Sequence, residues 1–241
     1  MISTKTDELY IGIDEAGRGP VVGSMFIAAV ALNKQQKDFL KSIGVKDSKL
    51  LSPTTRKKLK QEIIENCLAY KIKKVTPEEI DARIKAKTNI NKLEAIKIAE
   101  LINEFKNIIL ASKPKKITIY IDCPSNNIQK WKGFLLNYVD QTIKQVVKFV
   151  IQHHAERHVC VASASILAKE ARENEVEKIK NIIGDFGSGY PSDPITMDFL
   201  KSEKEKIKEL DKKYRFLRWS WITSKIIKEK EAKQKKLKDF F

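Results

Sequence analysis

Three acidic residues stand where two apolar runs stop. Asp14 and Glu15 follow the short run Leu9–Ile13, and Asp122 follows Lys116–Ile121. Carboxylates brought from distant segments to strand ends offer hard oxygen ligands, the donor type that Mg²⁺ takes while keeping several of its waters. Two such ions about 4 Å apart can clamp the attacking and leaving oxygens of a phosphodiester. A strand-end acid is equally an ordinary turn former, so no single one of the three decides the matter. There is also a geometric condition. Neighbours in a regular strand point to opposite faces. Asp14 and Glu15 share a site only if the backbone bends at Ala16-Gly17, and Gly17 and Gly19 make that bend feasible because glycine accepts positive φ.

The elements that must position these acids are legible in outline. Leu9–Asp14 reads as a strand, AGRGP as a turn, and Val21–Leu32 as a buried strand, the two strands forming an antiparallel hairpin. Ser52 followed by Pro53 predicts a helix running to about Asn66. Ala69–Val75 alternates as a strand does, and Thr76-Pro77-Glu78-Glu79 is a capping box that opens the next helix. Apolar residues at helical spacing over Asn91–Leu110 predict one long helix. Lys116–Ile121 and Gln145–Gln152 read as strands, and Val161–Ile183 as a long helix that begins with small residues. After a turn-rich loop, Gly184–Pro194, helices are expected over Ile195–Glu209 and Ser220–Glu231. Strands alternating with helices indicate an α/β fold with a mixed sheet.

Composition narrows the function. The chain has 241 residues, 42% hydrophobic, enough for a buried core and too many for a disordered chain. Lys and Arg number 47 against 31 Asp and Glu, a net charge of +16 that favours a polyanionic partner, although a solvated lysine surface has the same composition. Cys67, Cys123 and Cys160 lack metal-ligand spacing and suggest a reducing interior without disulfides. The apolar stretch Val21–Leu32 is too short to span a bilayer, and the polar N-terminus does not read as a signal, so a cytoplasmic protein is expected. His153, His154 and His158 lie close together, but their spacing is weak for zinc, and surface or proton-relay roles fit better.

Five blocks, in order, resemble the type 2 ribonucleases H (the ribonuclease HII family): GIDEAGRGPVVG (Gly12–Gly23), KDSKLLSPTTRKKL (Lys46–Leu59), YIDCP (Tyr120–Pro124), VASASILAKEARE (Val161–Glu173) and GSGYPSDP (Gly187–Pro194). The last block is similar to archaeal members, and the resemblance covers Tyr10 to Thr223. It implies a ribonuclease-H-like mixed sheet flanked by helices, and hydrolysis of the RNA strand of RNA–DNA hybrids. It also implies cleavage at ribonucleotides embedded in duplex DNA, with two Mg²⁺ or Mn²⁺ ions. Asp14, Glu15 and Asp122 match the first three acids of the family's set of four. Gly17, Arg18 and Gly19 match the loop that grips the nucleic acid, whose backbone can approach a 2′-hydroxyl closely. Lys49 matches a phosphate-contacting lysine, and Tyr190 the tyrosine that stacks beside the nucleotide. Asp47 and Asp193 are read as structural turn acids.

One position departs from the pattern. The fourth acid, usually Asp, falls at Ala155, and Glu156 stands next to it. Glu156 is nominated as the fourth ligand, as a Glu in this region is similar to the related type 3 enzymes. The alternative is that Ala155 marks an impaired or non-catalytic hybrid-binding protein that recruits the sliding clamp. A further rival is another two-metal nuclease of the same fold, such as a junction resolvase. The end of the chain, QKKLKDFF, resembles the motif that docks on sliding clamps such as PCNA, with Gln234, Leu237, Phe240 and Phe241 in its key places. On one helical turn Leu237, Phe240 and Phe241 form an apolar plug for a groove. The expected organisation is a catalytic core over 1–184, a small helical subdomain over 185–232 and a clamp-binding tail over 233–241. The protein is expected to act as a monomer without a membrane.

Overall fold

The computed structural model describes residues 7–111 and 114–221. In chain order its elements are β1 (Glu8–Ala16), β2 (Met25–Leu32), α1 (Lys34–Ser42), a 3-10 turn (Ser48–Leu50), α2 (Pro53–Asn66), β3 (Ala69–Val75), α3 (Pro77–Lys85), α4 (Ile90–Glu104) and α5 (Lys106–Ala111). There follow β4 (Lys116–Asp122), α6 (Ile128–Leu136), α7 (Gln141–Val146), β5 (Val147–Gln152), a second 3-10 turn (Ala155–Arg157), α8 (Val159–Ile183), α9 (Pro194–Ser202) and α10 (Lys204–Tyr214). Among the described residues, no helix is long and apolar enough to cross a membrane.

The chain divides into two compact units. The first holds the described residues up to Ala16 together with Phe26–Lys74 and Asn89–Ala171; the second holds Gly17–Met25, Val75–Thr88 and the described residues from Arg172 onward. In the first, five strands form one mixed sheet in the order β3-β2-β1-β4-β5. β1 pairs antiparallel with β2 and parallel with β4, and β4 pairs parallel with β5. The residues of β2 are buried on both faces, which is why it reads as a continuous apolar run. One face carries Tyr10, Phe26, Ala28, Val30 and Leu32 into a core completed by Leu40, Leu59, Ile63 and the small residues that open α8. Gly12 lies on that face because nothing larger fits. A Cβ there would overlap the backbone of Cys160 and Val161. A buried ion pair, Arg56 Nε to Glu170 Oε1 at 2.6 Å, ties α2 to α8.

The second unit has its own core of Val21, Val22, Val176, Ile183, Phe186, Leu200, Ile207, Phe216 and Leu217. Two buried aspartates hold its final segment. Asp211 accepts from the backbone N–H groups of Phe216 and Leu217, and Asp81 from those of Trp219 and Ser220.

Several elements differ from expectation. The strand expected over Val21–Leu32 begins at Met25, because Gly23 takes a φ of 89° and Val21 and Val22 pack into the second core. The single helix expected over Asn91–Leu110 is interrupted at Phe105, which caps α4 and is itself buried. The residues Gln145 and Val146 end α7 instead of starting β5, since Asp140 caps a short helix through the Thr142 N–H. The helix expected over Ile195–Glu209 is two helices parted at Glu203. Of the helix expected over Ser220–Glu231, all but Ser220 and Trp221 lies outside the described residues, and those two form no helix.

Candidate metal centre and nucleic-acid loop

The register explains why two of the acids meet. Ile13 pairs with Ile121 across the parallel ladder of β1 and β4, so Asp14 and Asp122 are the next residue on each strand and share a face. By the same parity Glu15 starts toward the other face. The ladder with β2 stays in register through Ala16, and the turn begins at Gly17 with a φ of 81°. The acids are therefore not brought together by a kink between them. Asp14 turns its carboxylate back to accept the Glu15 N–H at 2.8 Å, and carboxylate oxygens of Asp14, Glu15 and Asp122 all lie within 4.8 Å of one another.

This cluster is costly without a cation. Asp14 is buried; burial and the negative charge of Glu15, with a smaller push from Asp122, drive its pKa well above the ordinary carboxylate value, against the Ser165 hydroxyl that bonds it. Burial also raises Asp122, against the Ala155 N–H that donates to it at 2.9 Å. Three crowded carboxylates with two half-buried members are a donor set that suits a hard divalent cation.

Ala155 itself is fully buried in the core that underlies the sheet. Glu156, beside it on the same 3-10 turn, is outside the group of three. Its side chain is 9% exposed and meets Lys49 Nζ at 3.4 Å. It is close enough for its charge to act on Asp122. Burial works against the Lys49 ammonium, but Glu156, Asp47 and Asp14 outweigh it and hold its pKa above the ordinary lysine value. Lys49 sits on the first 3-10 turn, where Asp47 caps the Lys49 N–H and Ser48 Oγ lies 2.9 Å from Ser165 Oγ. Ser165 thus touches both Asp14 and the turn that carries Lys49. Neither serine was singled out from the sequence, although both stand inside the matched blocks.

The histidines have other duties. His153 Nδ1 lies 2.9 Å from the Cys123 carbonyl, and His158 stacks on Tyr120 with centroids 4.1 Å apart. Among the described residues, none of the three joins a metal-ligand group.

In the second unit, Gly17 allows the loop its shape, since a Cβ there would sit 2.7 Å from the Ser24 carbonyl oxygen. Tyr190 lies against Gly19, its ring atom 3.4 Å from where a Cβ would stand. The Arg172 guanidinium lies over the Tyr190 ring at 5.0 Å and donates to the Ser188 carbonyl. Asp193 caps α9 and accepts the Ser188 N–H, so the loop before Tyr190 is tied to the helix after it. Arg218 is fully buried and donates to the carbonyls of Gly17, Arg18 and Gly23. Burial, helped by the charge of Arg172, pulls its pKa down to about 10. Neither Arg172 nor Arg218 was nominated from sequence, because a buried arginine looks like any other in a chain so basic.

A mixed sheet of this order, with acids gathered where its central parallel strands end, is the mark of the ribonuclease-H-like nucleases. The profile of the family described as Ribonuclease HII matches residues 11–224. Ribonuclease HII of Methanococcus maripaludis (strain C6) is 40% identical over 226 residues, 93% of this chain and 89% of that protein. The crystal structure of ribonuclease H2 from Pyrococcus horikoshii OT3 superposes with a TM-score of 0.77 at 34% identity, covering 92% of this chain and 98% of that one. A structure of the PCNA:RNase HII complex from Archaeoglobus fulgidus gives 0.69 at 37% identity over 82% and 87%. The chain belongs to the ribonuclease HII family. It is a metal-dependent endonuclease that hydrolyses RNA in RNA–DNA hybrids.

Proposed function

We propose that Asp14, Glu15, Asp122 and Glu156 hold two ions, Mg²⁺ or Mn²⁺, and that the enzyme cleaves at single ribonucleotides embedded in duplex DNA as well as in long hybrids. The observation that carries this is the convergence of three carboxylates within 4.8 Å at the ends of two strands. The near-buried Glu156, within electrostatic reach of Asp122, supports a fourth ligand. Ions bound there would supply the positive charge for in-line attack of water on the phosphodiester, leaving 5′-phosphate and 3′-hydroxyl ends. The chain's own groups hold the ligands in place: Ser165 bonds Asp14, and the Ala155 N–H fixes Asp122. Lys49, with its side chain 73% exposed, contacts a substrate phosphate. The Gly17-Arg18-Gly19 loop reads the 2′-hydroxyl that distinguishes RNA, and Tyr190 stacks beside the nucleotide.

The tail residues Gln234, Leu237, Phe240 and Phe241 lie outside the described residues. We assign them to a sliding clamp on their motif, and the ribonuclease HII of Archaeoglobus fulgidus solved with PCNA supports that partner. The enzyme works as a monomer in the cytoplasm, where replicating DNA supplies its substrate.

The test is a duplex with one embedded ribonucleotide, incubated with Mg²⁺ or Mn²⁺. Cleavage at the ribonucleotide that Asp122→Asn abolishes is expected. Tight binding without cleavage would favour a second reading, a non-catalytic marker of ribonucleotides, which rests on the fully buried Ala155 in place of an acid. Equal cutting of an all-DNA duplex would favour a nuclease of the junction-resolving kind.

A further inference from the structure

We infer that Arg218, assisted by Trp221, is a positioning residue for ribonucleotide recognition: it sets which way the peptide units of the Gly17-Arg18-Gly19 loop face. This rests on the reading that the loop senses the 2′-hydroxyl.

Arg218 Nη2 donates to the Gly17 carbonyl at 2.5 Å, Nη1 to that of Arg18 at 2.8 Å and Nε to that of Gly23 at 2.8 Å. Burying a guanidinium carries a heavy desolvation penalty, far more than pinning a surface turn ordinarily requires. The planar fork suits the task because it offers five N–H donors in fixed directions, whereas a lysine ammonium concentrates its charge at a single atom. Among the described residues all peptide bonds are trans, so each planar unit has its N–H opposite its C=O. With the Gly17 and Arg18 carbonyls turned to Arg218, the N–H groups of Arg18 and Gly19 are turned away from it. A charged donor on a carbonyl polarises the whole amide, and these N–H groups become stronger donors. Trp221 completes the arrangement. Its Nε1 donates to the Gly19 carbonyl at 3.1 Å, and the Arg218 guanidinium lies 5.2 Å from the Trp221 ring centroid. The unit that follows has no N–H at all, because residue 20 is proline. The loop thus turns two polarised donors away from Arg218, a donor chemistry suited to the ribose 2′-oxygen that deoxyribose lacks.

The experiment measures dissociation constants by fluorescence anisotropy in EDTA, where hydrolysis does not occur. It uses a duplex with one ribonucleotide and the all-DNA duplex of the same sequence, with wild type, Arg218→Lys and Trp221→Phe. Arg218→Lys should lower the preference for the ribonucleotide duplex about tenfold, the loss of charge-assisted bonds, and Trp221→Phe about threefold. Mn²⁺ affinity, titrated without nucleic acid, should stay within about twofold, since the acids are untouched. Equal loss of affinity for both duplexes, or an unchanged preference, overturns the inference. If Arg218→Lys does not fold, Trp221→Phe decides by the same criterion. Wild type that discriminates alongside variants that discriminate as well refutes the positioning role alone. Wild type that binds both duplexes alike defeats the loop reading, and the inference with it.

Discussion

Asp14, Asp122 and Glu156 each have a distinct neighbour, and these neighbours set what substitutions do. Glu156 is held by Lys49 and acts on Asp122 by charge, so Glu156→Gln should cut the cleavage rate by about an order of magnitude or more if it is a ligand. Steady-state rates on a hybrid oligonucleotide check this, and wild-type turnover would remove Glu156 from the set. Asp14 makes a pH prediction. Its pKa is raised on folding, so its contribution to stability is intact below the unfolded carboxylate value and is lost as the pH rises through the folded one. In EDTA, the melting temperature of Asp14→Asn minus that of wild type should therefore grow as the pH rises above the ordinary carboxylate range. Mg²⁺ should shrink the gap by stabilising wild type alone. A difference that is flat with pH would show that Asp14 is not held under strain by burial and its neighbours. The first three acids were legible at strand ends. The serine that bonds Asp14 was not, because a serine among ASAS looks like helix packing until Asp14 is seen against it.

At the level of elements, the tightest demand is the approach of α8 to β1. Gly12 lets the helix backbone lie directly on the strand, and Gly12→Ala should cost about 3 kcal/mol or more, since the new methyl meets backbone that cannot rotate aside. Urea unfolding measures it; a variant as stable as wild type would mean that α8 can shift freely. Elements with local chemistry at their ends were readable. α2 starts at Ser52-Pro53, and α3 at the capping box of Thr76 and Glu79, each with the bounds its cap dictates. Breaks without such chemistry were not. The apolar period runs straight across Phe105, and Glu203, before the first residue of α10, makes no side-chain cap. Val21 and Val22 read as strand because burial in a second core needs the same residue types as burial in a sheet.

For the whole molecule, the separation of chemistry from recruitment is open to direct test. Deleting Gln234–Phe241 should abolish binding to a sliding clamp, measured by surface plasmon resonance, while cleavage of short hybrids stays at the wild-type rate. Clamp affinity that survives the deletion would place the contact elsewhere. The net charge of +16 is legible at this scale too, but where it is displayed is not, because lysines crowd nearly every segment. Which stretches make up each unit was hidden as well, since each gathers segments far apart in the chain. The parallel seating of β4 beside β1 has a bearing on synthesis. A ribosome releases Asp14 and Glu15 early, yet these wait for Asp122 from near the middle of the polypeptide. An emerging, half-made chain therefore lacks the third carboxylate, and its capacity to cut a hybrid arrives only once β4 has joined the sheet beside β1.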